Sequence, residues 1–298
     1  MKNRFLNLSA ALAFVFVVTI GAGAAEPAAT GKRLFLWRIQ STNSTVYLLG
    51  SIHVAKPKMY PLDPRIENAF QESSTLVVEA DASPDKVLGL AMQMMARVSY
   101  PPEDGLDKHI SKELFETIQA RMATNGIPPE MVKGMKPWFI AMTLTLTELG
   151  DLGIDPQQGI DLHFLREAKG KPIIELEGAE AQFTLLDGFT DKEQEDFLKY
   201  TLKDNENIAK SVDDMIAAWS DGDAKKLDDL LMQSVKDSPE MQALFARFFD
   251  DRNKKMAAKI EELLKTDKTY FVVVGAGHFV GKNGLLQLLG KNHAIEQM

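Results

Sequence analysis

Residues 270–289, YFVVVGAGHFVGKNGLLQLL, restrict what this chain can become. An unbroken run of β-branched and aromatic residues reads as a strand covered on both faces, as in a parallel or mixed α/β sheet. Gly275-Ala276-Gly277 permits a sharp turn at its end, and 284–289 then reads as a short apolar helix. His278 is thereby predicted just beyond the carboxyl end of a central strand, where open α/β sheets collect their ligands. The same arrangement recurs upstream, where Val46-Tyr47-Leu48-Leu49 runs into Gly50-Ser51-Ile52-His53. Two predicted strands, each ending in Gly-x-x-His, frame the chain.

Between them the pattern is mostly helical. Residues 34–39 and 45–49 flank a polar turn and predict a β-hairpin. Asp63-Pro64 opens a short helix through Gln71, and 75–78 is a strand that delivers Glu79 and Asp81. Ser83-Pro84-Asp85 has the composition of a helix start, with a capping serine and proline at the first position. Helical periodicity then covers 86–98, 112–125, 131–149 and 160–168, and 173–176 is a further strand carrying Glu175. Thr190-Asp191-Lys192-Glu193 is a capping box, and Ser238-Pro239-Glu240 starts a last long helix reaching about Leu264. Residues 294–296 predict a short edge strand. The expected fold class is α/β: a mixed sheet from N- and C-terminal strands with a large central helical block.

Residues 1–25 have the layout of a secretory signal peptide. Lys2 and Arg4 precede an uncharged run at 10–20, and small residues at 22–25 offer a cleavage site. The run is shorter than the roughly 20 residues that span a bilayer, so cleavage is expected over anchoring. Residues 26–298 are then expected to form a single domain, in the periplasm or secreted, with no stable membrane span. There is no cysteine, which excludes thiolate metal sites, a cysteine nucleophile and a lipidated cysteine anchor. Without Lys2 and Arg4 the chain carries 32 basic against 42 acidic residues, a charge of −10. A chain this acidic, without a basic run, is not expected to bind nucleic acid.

The chemistry gathers at three strand ends. Imidazole suits zinc, iron, cobalt or manganese, and a carboxylate completes a harder site. His53, Glu79 and His278 would meet at one sheet edge as a two-histidine, one-carboxylate set. The residues alone leave open a second reading, in which each histidine hydrogen-bonds a loop and Glu79 caps a helix. Other motifs fall short. Gly275-Ala276-Gly277 begins like a dinucleotide fingerprint, but the next glycine comes one place late and the chain ends too soon. Gly281-Lys282 lacks the upstream glycine and following hydroxyl of a phosphate loop, and no G-x-S-x-G elbow is present. Met92, Met94 and Met95 are expected to be helix packing rather than a soft-metal site. Arg252-Asn253, beside Asp250 and Asp251, reads as a solvated charged face or as part of a site.

Taken together, LFLWRI, YLLGSIHVAKPKMYPL, LVVEAD, KPIIELEGAEAQ, DRNKKMA and FVVVGAGHFVGKNGLLQLL resemble, in order and spacing, the TraB/GumN family. That group includes the pheromone-shutdown proteins and, distantly, the Tiki-type metalloproteases. The resemblance spans roughly 33–290 and implies a fold akin to the erythromycin-esterase and ChaN-like group. It also implies that both Gly-x-x-His motifs and an acidic residue form the active site: His53 with Gly50, Glu79, and His278 with Gly275. Arg252 matches the family's Arg-Asn element, a candidate for holding a substrate carboxylate or a developing oxyanion. Asp161 and Glu177 match further acidic positions.

The expectation is therefore an exported metal-dependent hydrolase, peptidase-like, acting on a peptide or protein substrate. His53 and His278 hold a divalent ion (zinc, manganese, cobalt or iron), Glu79 ligates it or acts as general base, and Arg252 orients substrate. The alternative is a periplasmic metal-, haem- or peptide-binding regulatory protein without turnover.

Overall fold

The computed structural model describes residues 32–56, 59–83, 85–205, 208–236 and 239–298. The expected leader at 1–25 and the helix-opening Ser238 lie outside them. The predicted hairpin forms from β1 (Leu36–Gln40) and β2 (Thr45–Ser51), antiparallel, with Leu36 opposite Leu49 and Gln40 opposite Thr45. Helix α1 (Pro64–Glu72) starts on Asp63, whose carboxylate accepts the Arg65 N–H, and leads into the fully buried β3 (Thr75–Val78).

The helical block begins with α2 (Val87–Met95), α3 (Lys112–Thr124), α4 (Pro129–Gly134), α5 (Pro137–Asp151) and α6 (Ile160–Glu167). After β4 (Ile173–Glu175) come α7 (Ala179–Asp187), α8 (Asp191–Asn205), α9 (Ile208–Ser220), α10 (Ala224–Lys236) and α11 (Pro239–Phe245). A π-helical turn, Ala246–Asp250, joins α11 to α12 (Asp251–Leu263). The chain closes with β5 (Thr269–Gly275), α13 (Leu285–Leu289) and β6 (Ile295–Gln297).

Several boundaries differ from the pattern, each for a local reason. Helix α2 runs from Val87, and the Ser83 carbonyl already accepts the Lys86 and Val87 N–H groups, while Pro84 of the expected helix start lies outside the described residues. The helix expected over 131–149 is two. Pro137 forces Lys136 into an extended conformation, whose N–H goes to the Val98 carbonyl instead of continuing a helix. The long helix expected from 239 to 264 is interrupted by the π turn. Of the three methionines expected to pack, only Met94 is buried, while Met92 and Met95 are 68% and 55% exposed. The capping box at Thr190 and Glu193 forms as expected, with each residue's N–H donated to the other's side chain.

The six strands lie in the order β4-β3-β5-β2-β1-β6. The four from β4 to β2 run parallel, while β1 and β6 are antiparallel additions at one side. Strand β5 is central and β2, β3 and β5 are buried almost end to end, which explains their continuous apolar sequences. Phe70 of α1 and Phe164 of α6 close on Phe271 with centroids 5.5 and 4.8 Å away, while Trp37 stacks on Phe279. Burying each such ring contributes roughly 1.5–3 kcal/mol. Because β2 and β5 are in parallel register, with Ser51 beside Gly275, both Gly-x-x-His segments leave the sheet at the same edge. Strand β3 flanks β5 on the other side and ends there too, at Val78.

Candidate active site

Each strand end is held by contacts that leave little freedom. At Gly50 a Cβ would lie 2.4 Å from the Phe35 ring and 3.2 Å from Ala276 Cα, so only glycine lets the chain pass. Its carbonyl accepts the Trp219 Nε1–H at 2.6 Å, fixing the start of the loop that carries His53. Helix α6 docks on that loop, the Ile160 N–H donating to the Ile52 carbonyl at 3.0 Å. Asp161 in the first turn of α6 is thus brought to His53, Oδ1 lying 3.2 Å from Nδ1. The two atoms are poorly aligned for a hydrogen bond, so the pairing is electrostatic.

Glu79 follows β3. Its backbone carbonyl accepts the N–H groups of both Glu177 and Gly178, each at 2.9 Å. Its carboxylate is gripped at both oxygens. Oε1 accepts the Gly275 N–H at 2.6 Å, and Oε2 accepts from Arg252 Nη2 at 2.9 Å and from Gln182 Nε2 at 3.3 Å. Gly275 is tightly enclosed, since a Cβ would lie 3.0 Å from His53 Nε2 and 3.2 Å from Glu79 Oε1. His278 sits in the short 3₁₀ turn after β5, against the Phe249 ring. Its Nδ1 is 2.6 Å from Asn253 Oδ1. The Asn253 amide nitrogen donates to the Asn283 carbonyl, so Oδ1 is the acceptor and His278 Nδ1 carries the hydrogen. The His278 Nε2 lone pair then faces Glu79 Oε2 at 3.8 Å.

The electrostatics follow from burial and neighbours. Burial would raise the Glu79 pKa, but His278 when charged, the permanent charge of Arg252, His53 and the Gly275 N–H overcome it, holding the pKa at about 2. Burial dominates at His278, with Arg252 adding to it, and pushes its pKa down to about 3, leaving a neutral ring with a free lone pair. At His53 burial also opposes charge, but the Asp161 carboxylate outweighs it and the pKa is raised. These groups line a cavity of about 100 Å³ together with Ser51 and mostly apolar side chains such as Val78, Leu90, Leu165 and Val212.

Arg252, expected to orient substrate, stands behind Glu79. It is 7% exposed, it does not line the cavity, and its donors go to Glu177, Glu79 and the Phe248 carbonyl. It clamps two carboxylates in place. Glu177 is its second partner, which accounts for that acidic position, as His53 accounts for Asp161. Sequence reasoning missed Gln182 and Asn253 as members of the site. Asn253 stood beside Arg252 in the Arg-Asn element, whereas nothing in the pattern marks Gln182.

The donor set suits a divalent cation in kind. The buried His278 and the half-buried His53 both have Nδ1 turned to an oxygen, leaving Nε2 as the ligating atom, the usual arrangement around metal-binding histidines. The His278 Nε2 lone pair and Glu79 Oε2 confront each other, two acceptors with room for a cation between. Two carboxylates, Glu79 and Glu177, face the guanidinium of Arg252, and a third, Asp161, faces His53. Among the described residues no three histidine, aspartate or glutamate side chains already converge at the spacing of a closed ligand cage.

The sequence profile of the TraB/PrgY/gumN family matches residues 35–296. The chain belongs to this family. YbaP of Escherichia coli (strain K12), an uncharacterized protein, is 30% identical over 249 residues, covering 83% of this chain and 88% of YbaP. Metalloprotease TIKI1 of Xenopus tropicalis is 24% identical over 303 residues, covering 86% of this chain and 59% of that protein. Metalloprotease TIKI2 of Danio rerio is 22% identical over 308 residues, with 86% and 59% covered. No solved structure matches. The match to the family spans both Gly-x-x-His segments, Glu79 and the Arg252-Asn253 pair. Among the described residues no helix is long and apolar enough to cross a membrane.

Proposed function

We propose that this member of the TraB/PrgY/gumN family is an exported, metal-dependent hydrolase that cleaves a peptide bond. The observation that carries the reading is the juxtaposition of His278 Nε2 and Glu79 Oε2 on a cavity also lined by His53, with Asn253 and Asp161 behind the two rings. Distant kinship to metalloproteases TIKI1 and TIKI2 supports the reaction class.

His53 and His278 would hold the ion through Nε2, with Glu79 as the third ligand. A divalent ion bound there supplies Lewis acidity, polarising a carbonyl and making water acidic near neutral pH. Asn253 fixes the tautomer of His278, and Asp161 orients His53 and favours a proton on its Nδ1. Arg252 and the Gly275 N–H keep Glu79 ionised. A carboxylate with a pKa of about 2 is a weak base at neutrality, so Glu79 is assigned to holding charge rather than to removing a proton from water. The apolar cavity wall excludes bulk water and strengthens each of these interactions.

The test is metal analysis of protein purified without chelators, followed by digestion of a peptide library with that metal restored. Wild type is expected to bind about one divalent ion and to cleave, and His53→Ala and His278→Ala to lose both properties while melting like folded proteins. A His278→Ala protein with undiminished metal affinity would overturn the assignment. The second reading is a metal- or peptide-binding protein without turnover. Saturable metal binding without cleavage of any library peptide would decide for it.

A further inference from the structure

Ser51 is the last residue of β2, is 2% exposed and lines the cavity beside His53, Glu79 and His278. Its hydroxyl is buried and makes no hydrogen bond in the structure. Leaving a buried hydroxyl without a partner is costly, and such groups are rare in folded proteins. His53 Nδ1 and Asp161 Oδ1, in the same cavity wall, also lack an aligned partner. Those two atoms face each other at 3.2 Å, so Ser51 Oγ is the polar atom of this wall left without a neighbour to pair with.

The chemistry of the neighbours says what Ser51 would meet. Glu79 presents only acceptors, and His278 Nε2 is a lone pair because its hydrogen is on Nδ1. The N–H donors nearest the carboxylate, on Arg252, Gly275 and Gln182, are already directed at Glu79 or Glu177. A freely rotating O–H is the complement this wall lacks. We infer that Ser51 is a substrate-contacting residue whose hydroxyl donates a hydrogen bond to the carbonyl oxygen of the bound peptide group. This rests on the hydrolase reading and adds to it a group that no part of the metal assignment uses. Negative charge grows on that oxygen during attack, so the bond strengthens in the transition state and the benefit falls on kcat more than on KM.

The experiment compares wild type, Ser51→Ala, Ser51→Thr and His278→Ala, each with its metal content measured. Three readouts are taken: thermal melting, cleavage of a random-sequence octapeptide library with added Zn²⁺ or Mn²⁺, and retention of the same library by immobilised protein. Ser51→Ala is expected to melt at or above the wild-type temperature and to keep its metal. Its kcat should fall about 100-fold or more with little change in KM. Ser51→Thr, which keeps the hydroxyl, is expected to recover most of the loss. Cleavage by Ser51→Ala within about two-fold of wild type would overturn the inference while leaving the hydrolase reading intact. A melting temperature several degrees lower would show that the hydroxyl is a structural partner and overturn it as well. If wild type cleaves nothing, the hydrolase reading fails by itself and retention decides: loss of bound peptides in Ser51→Ala upholds the contact, and equal retention removes it.

Discussion

His278 donates its Nδ1 hydrogen to Asn253 Oδ1 across 2.6 Å, and the residue before Asn253 is the arginine that grips Glu79. One turn at the start of α12 thus sets both the tautomer of a histidine and the charge of the carboxylate facing it. Asn253 is 1% exposed and its other amide atom is spent on the Asn283 carbonyl, so it cannot turn away. Asn253→Ala is expected to weaken divalent-metal affinity about 10- to 100-fold by calorimetric titration. Affinity equal to wild type would mean that the His278 ring is oriented by packing against Phe249 alone.

Arg252 lies between Glu79 and Glu177, all three nearly buried. Removing the guanidinium strands two carboxylates in a poorly solvated place. Arg252→Met is expected to cost about 3–5 kcal/mol in urea unfolding. Replacing Glu177 by glutamine as well should return part of that loss, because one of the stranded charges goes with it. A single-variant loss below about 1 kcal/mol, the range of an exposed pair, would show that water reaches the cluster.

Gly275→Ala probes the site without touching a polar side chain. Its Cβ would press on His53 Nε2 at 3.0 Å and Glu79 Oε1 at 3.2 Å, so those groups must shift by tenths of an ångström. The backbone there is compatible with alanine, with φ at −50°, and the fold should survive. Metal affinity is expected to fall at least about ten-fold with melting temperature changed by only a few degrees. An unaltered affinity would place the cation elsewhere.

A pH effect is expected far from the cavity. His109 contacts Asp104 through Nε2 at 2.8 Å and Asp191 through Nδ1 at 3.0 Å, and stacks on Tyr100. Burial opposes its charge, but the two carboxylates prevail and raise its pKa, while the His109 hydrogen bond lowers that of Asp104. The histidine contribution is complete below its unfolded pKa of about 6.5 and is lost as pH rises through the raised folded value. The Asp104 contribution is present above about pH 4 and is lost as pH falls through its lowered value. The gap in melting temperature between wild type and His109→Asn should therefore be larger at about pH 5.5 than at about pH 8.5. Equal gaps would show that the cluster is solvated and inert.

Much of this was legible beforehand because it depends on local pattern. The apolar runs of β2, β3 and β5 announce buried strands, and the glycines at the ends of two of them announce where the chain leaves the sheet. The helix breaks were less legible. Pro137 was readable as a boundary in principle, but the π turn at Ala246–Asp250 has no such marker, and it is that turn which offers the Phe248 carbonyl to Arg252. Arg252 itself, among acidic neighbours, read as a surface residue or a substrate clamp, and its burial between Glu79 and Glu177 was not legible in the pattern.

The order of residues alone determined that His53, Glu79 and His278 would each stand at a strand end, since periodicity and glycine placement act over a few residues. It could not decide which strand lies beside which. The parallel pairing of β5 with both β2 and β3 brings the three ends to one edge, and the docking of α6, α7 and α12 supplies Asp161, Gln182, Arg252 and Asn253 to them. Those contacts join residues up to about two hundred positions apart, and they form because burying the shared apolar faces favours one packing of the whole chain.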